Sequence, residues 1–240
     1  MYKLLIIPTI WTLLLAGCFA SPATEIPTTF TPTMTPPLPT RTPAPTATPT
    51  APATATQPSV TPEPSGCLQP SDEYARINVN GVTLNQRTLS MLVHAQMLYG
   101  GELEISGYAI TQGSYSNSVS ASFGTHAGGG AVDLSVLRRG TYTVLWDDID
   151  LLLHALRAAG FAAWLREYGE LYEGSPIHIH AIAIGDMELS EAAQGQLIGE
   201  AGYFRGYSGL TDENGSPTLD RYGEPILCGW MLALGYVDLR

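Results

Sequence analysis

Residues 147–184 read DDIDLLLHALRAAGFAAWLREYGELYEGSPIHIHAIAI, and the change of period inside them sets the fold class. The first third is helical. Asp147 and Asp148 place acid at the start, Ile149, Leu152, Leu153 and Leu156 return to one face, and Gly160 supplies a C-cap. Two strands are predicted next, over residues 161–166 and 177–184. On the second, His178 and His180 stand two apart and share one side, with Ile177 and Ile179 on the other. Two imidazoles on one face of a core strand are costly unless they meet a partner.

On either side of this stretch the pattern is of the same kind. A helix is predicted over residues 88–99, through Leu89, Leu92, Val93, Met97 and Leu98, ended by Gly100-Gly101. Residues 102–108 alternate as a half-buried strand does, and 131–134 read as a short buried strand. Between them, residues 111–130 are rich in Ser, Gly and Asn and read as a long loop, a feature uncommon in a compact domain unless it does something. A further helix is expected over residues 190–203, with Ser190 as its cap. The order predicts an α+β domain over residues 67–240, with a small, mostly antiparallel sheet flanked by helices.

The long loop holds a second chemical stretch, Ser122-Phe123-Gly124-Thr125-His126-Ala127-Gly128-Gly129-Gly130-Ala131-Val132-Asp133. Its glycines let the backbone fold back, so that His126 and Asp133 converge. Imidazole and carboxylate are ligands that zinc takes in catalytic sites, where a coordination position stays open for water. Simpler readings compete. His94 and His154 fall on predicted helices as ordinary polar residues, and three glycines also make a tight turn. No phosphate-binding glycine motif is present, and Ser122 lacks the Gly-x-Ser-x-Gly elbow of a serine hydrolase.

Composition and termini fix the setting. Of 240 residues, 11 are Lys or Arg against 22 Asp or Glu, a net charge of −11 that argues against a nucleic-acid partner. Residues 1–18 read as a signal peptide: Lys3 gives the positive start, and the apolar run after it is too short to span a ~30 Å hydrocarbon core as a permanent helix. Leu15-Ala16-Gly17-Cys18 resembles a bacterial lipobox, which implies lipidation of Cys18 and anchoring to the outer face of the cell membrane; ordinary secretion is the alternative. Residues 19–66, dense in Pro and Thr, are expected to be a disordered stalk with a reach on the order of 100 Å when extended. Cys67 and Cys228 remain, one at each end of the domain. A disulfide between them suits an oxidising compartment; two separate buried thiols are the alternative.

The pattern Ser-x-Gly-x-His-x-x-Gly-x-Ala-x-Asp with a downstream His-x-His resembles the zinc D-alanyl-D-alanine peptidases, in the superfamily that also holds lysostaphin-type peptidases and hedgehog domains. His126, Gly129, Ala131, Asp133 and His180 carry the match, and Ile105-Ser106-Gly107-Tyr108 resembles the segment that precedes it. The resemblance implies zinc held by His126, Asp133 and His180, a peptidoglycan peptide as partner, and hydrolysis by zinc-activated water in a monomer. Two positions depart from the family. Ile177 stands where many members carry a carboxylate base, which leaves His178 as the expected catalytic base and Glu173 as an alternative. Ala109 stands where members often carry an arginine for the substrate carboxylate. A non-catalytic zinc-containing module that binds cell wall is the rival reading, and a purely structural zinc site a third.

Overall fold

The computed structural model describes residues 63–240. The expected leader with Cys18, and residues 19–62 of the expected stalk, lie outside the described residues. Residues 63–66 belong to the folded part: the Cys67 amide donates to the Pro64 carbonyl, and Glu63 Oε1 accepts from the Gly229 amide.

Among the described residues the first elements are a hairpin of β1 (Arg76–Val79) and β2 (Val82–Asn85), turned at Asn80 and Gly81, both at positive φ. Helix α1 (Gln86–Tyr99) follows at once; the Asn85 side chain caps it by accepting from the Thr88 amide, and Gly100 ends it in the left-handed region. Next come β3 (Ile110–Gln112), β4 (Ala131–Ser135), α2 (Trp146–Ala158), β5 (Phe161–Arg166), β6 (His178–Ala183) and α3 (Glu191–Ile198). A second hairpin, β7 (Tyr207–Thr211) and β8 (Pro217–Leu219), and the short α4 (Gly229–Ala233) complete the chain.

Strands β3, β4, β6 and β5 form one sheet in that order, every neighbour antiparallel. The α+β class with a small antiparallel sheet and flanking helices is therefore the observed one. Period 2 gives this sheet two different faces. Val132, Leu134, Ile179, Ala181, Phe161, Ala163 and Leu165 enter a core shared with α1 and α2. On the reverse, Ala131, Ile182, Ala162 and Trp164 pack with α3, Tyr203, Phe204 and Trp230 in a second core. That second face does not stay apolar, because its far rows are filled by Asp133, His180, His178 and Arg166.

Two expected elements are corrected. Residues 102–108 are turns, not a strand: the Gly107 and Ala109 amides both donate to the Glu104 carbonyl, at 3.1 and 3.2 Å. The alternation there reflects Leu103 and Ile105 entering the core from a coiled segment, with the Ile105 amide held by Gln96 Oε1 at 2.7 Å. The helix expected over 190–203 stops at Ile198, where Gly199 turns to extended backbone; Tyr203–Arg205 is one separate 3-10 turn. Both hairpins are absent from the sequence expectations, although Asn80-Gly81 between Val79 and Val82 is a strong turn signal. Tyr222 packs against the first core, and Trp230 lies in the second.

Cys67 and Cys228 are bridged, closing a separation of 161 residues. Because so long a loop removes much freedom from the unfolded chain, replacing both cysteines by serine should lower unfolding free energy by about 2–5 kcal/mol. Urea denaturation of the native and doubly substituted chains checks this; equal midpoints would contradict it.

Candidate metal centre

The site begins with strand register. Asp133 of β4 faces His180 of β6, and His180 faces Trp164 of β5, so all three point to the same side of the sheet. His126 arrives from the loop, on a 3-10 turn over Thr125–Ala127. The glycines between His126 and Asp133 make that approach possible. A Cβ on Gly128 would collide with the Glu188 carbonyl and the Ser190 amide, and Gly130 sits at φ +77 with Leu189 2.7 Å from where its Cβ would be. The backbone thus lies flush against residues 188–190, and Ser190 Oγ fastens it by donating to the Thr125 carbonyl at 3.0 Å.

Asp133 Oδ1 is the meeting point. His126 Nε2 lies 3.2 Å from it and His180 Nδ1 2.7 Å. The candidate ligand atoms of His126, Asp133 and His180 all fall within 4.8 Å of one another. The opposite nitrogen of each ring is pinned. His126 Nδ1 lies 2.8 Å from the Gly113 carbonyl, and His180 Nε2 lies 3.1 Å from Gln196 Oε1 on α3. The Gly113 carbonyl only accepts, so His126 Nδ1 carries a proton; His126 Nε2 then donates to Asp133 when the ring is protonated and offers a lone pair when it is neutral. His178 repeats the arrangement: Nδ1 lies 2.8 Å from the Pro176 carbonyl, and Nε2 faces Asp133 Oδ2 at 3.9 Å.

Two imidazole nitrogens and a carboxylate oxygen this close together suit a divalent cation with N and O preferences, and the donor set is one zinc accepts. Glu63, Cys67 and Cys228 also lie close together, but the disulfide removes both thiolates from metal chemistry.

Electrostatics follow from burial. Burial alone pushes the Asp133 carboxyl up, but hydrogen bonds and charge from His126 and His180 outweigh it and hold Asp133 well below the usual carboxylate range. Burial likewise lowers His180, to about 4. For His126, burial lowers the pKa but the Asp133 hydrogen bond, its charge and the Gly113 carbonyl together raise it. Of the two rings, His126 is therefore the one whose protonated form Asp133 favours.

These side chains form one wall of a cleft of ≈ 340 Å³. Phe123, Tyr172, Leu171, Ile177 and Leu210 give it apolar lining, with Phe123 and Tyr172 well exposed at the surface. Among the described residues lining the cleft, Asp133 is the single carboxylate; Glu173 is exposed and outside the lining. Ser122 lines it too, yet its Oγ is engaged by Gln112 Nε2 at 2.9 Å and not by an imidazole. Ala109 is fully buried in the first core and does not line the cleft. Sequence reasoning missed Gln196, Trp164 and Arg166. Trp164, stacked on His180 at 6.0 Å, and Arg166 could have been found from their period-2 spacing on β5, whereas nothing local marks Gln196.

Since a cation must displace the proton on His126, affinity is expected to fall about tenfold per pH unit below the raised His126 pKa, itself above the ordinary ~6.5. Above it the dependence flattens, because Asp133 and His180 both titrate well below that range. Zinc titrations from pH 5 to 8 check the slope; no dependence on pH would contradict it.

Comparisons of the chain with protein-family models, curated proteins and solved structures return no match, so the chemistry of the cleft is argued from its own residues.

Proposed function

We propose that this chain is an exported, lipid-anchored zinc metallopeptidase that hydrolyses amide bonds in peptidoglycan peptides. One observation carries the reading: two buried imidazoles each set a ring nitrogen within 3.2 Å of the same oxygen of one buried carboxylate, at the wall of an open cleft. His126, Asp133 and His180 would hold the ion. Zinc, when bound in such a site, lowers the pKa of a water and polarises a carbonyl.

The chain's own residues supply the rest. In the neutral ring whose Nδ1 donates to the Pro176 carbonyl, His178 Nε2 is the nitrogen without a proton, placed to accept one from the attacking water. The same nitrogen then returns that proton to the leaving amine. Pro176 favours this tautomer, as the Gly113 carbonyl does for His126, while Gln196 holds the far nitrogen of His180. The apolar cleft walls exclude water around the scissile amide, which strengthens each charge interaction. The peptidoglycan substrate and the outer-face location rest on the motif resemblance and on the leader with Cys18, and the reading takes the molecule as a monomer.

Purified sacculi provide the test. The native chain should release peptide fragments; His126→Ala should lose both zinc and release. His178→Ala should keep zinc while the rate falls about 10²–10⁴-fold. Zinc retained with no fragment at any pH would instead assign the cleft to binding, a reading favoured by Ile177 and by the lack of a second cleft carboxylate among the described residues.

A further inference from the structure

The register that sets Asp133 beside His180 also sets Arg166 of β5 beside His178 of β6, one row along the same face. Arg166 is 2% exposed and lines the cleft. Its Nη2 donates to the Ser208 carbonyl at 2.9 Å, and its guanidinium lies 5.3 Å from the centre of the Trp164 ring, so the group is firmly placed. Nη1 has no hydrogen-bond partner among the described residues. The facing acid is Glu170, whose Oε1 stands 3.7 Å from Nη1, outside hydrogen-bond reach. Glu170 is tethered there, because its Oε2 accepts from the Glu167 amide at 2.6 Å.

A buried guanidinium with one nitrogen satisfied and one left short is unfavourable for stability alone. The planar fork of arginine matches a carboxylate, and Nη1 is the half of the fork the fold leaves unused. We propose that Arg166 is a specificity residue that binds a carboxylate of the ligand, which takes the place of Glu170 against Nη1. The proposal rests on the reading of the cleft as a peptide-hydrolysing site and narrows its substrates. They are peptides with a free carboxylate, α or side-chain, within one or two residues of the amide that lies at His178 and Asp133. Paired positions on adjacent strands stand about 5 Å apart and a peptide advances ~3.3–3.6 Å per residue, so the two subsites fit one short ligand. Among the described residues lining the cleft, Arg166 is the single arginine or lysine.

Calorimetric titration of the zinc-loaded full chain tests it with three probes: N-acetyl-D-alanyl-D-alanine, its C-terminal amide, and N-acetyl-D-alanyl-D-glutamic acid α-amide, which carries only a side-chain carboxylate. At least one acid should bind about 10- to 100-fold more tightly than the amide, and which one identifies the carboxylate. Arg166→Gln should bring that ratio close to one with zinc stoichiometry unchanged. Glu170→Gln removes the competing acid and should tighten acid binding several-fold while leaving the amide as it was; this arm stands even if Arg166→Gln does not fold. The proposal is overturned if acids and amide bind native chain alike, if none binds, if the ratio survives Arg166→Gln, or if Glu170→Gln weakens acid binding. Any of these with zinc and fragment release intact leaves the peptidase reading standing, whereas a native chain that takes no zinc brings down both.

Discussion

A carboxylate buried between imidazoles is the constraint on which this molecule turns. Moving Asp133 out of water costs several kcal/mol unless opposite charge and hydrogen bonds meet it. Here His126 and His180 meet it at the same oxygen, and His178 stands by the other. Each imidazole in turn needs its second nitrogen satisfied, which accounts for the Gly113, Gln196 and Pro176 oxygens around them. A change in any of these neighbours would be felt at Asp133 through the ring it orients.

The sheet meets this demand by treating its faces differently. One is wholly apolar and carries the packing with α1 and α2, so the strands are fixed without help from the polar rows. The other is divided along its length. Ala131, Ile182 and Ala162 anchor the second core, and from the next row on the same strands present ionisable groups to the cleft. Rigid strands supply Asp133, His178, His180 and Arg166, which keeps their spacing. The loop supplies His126, and the close fit of Gly128 and Gly130 against residues 188–190 fixes it almost as well.

Much of this was legible in sequence where the signal was local. The period of Ile149, Leu152, Leu153 and Leu156 located α2, and the alternation through His178 and His180 located β6 with both imidazoles on one face. The pairing of Cys67 with Cys228 was open to sequence because no other cysteine stood in the domain. What failed had no local signature or a misleading one. Leu103 and Ile105 alternate as a strand does, yet the turn at Glu104 puts both inside. Gln196 reaches His180 from a different helix, and the unpaired nitrogen of Arg166 appears only once Ser208 and Glu170 are in place around it.

Zinc-edge X-ray absorption on the zinc-loaded chain addresses the geometry at its source. The account predicts one ion per chain in a first shell of nitrogen and oxygen only, at about 2.0–2.2 Å, with the outer-shell scattering of two imidazoles. A sulfur ligand, a shell without imidazole, or no retained zinc would contradict it.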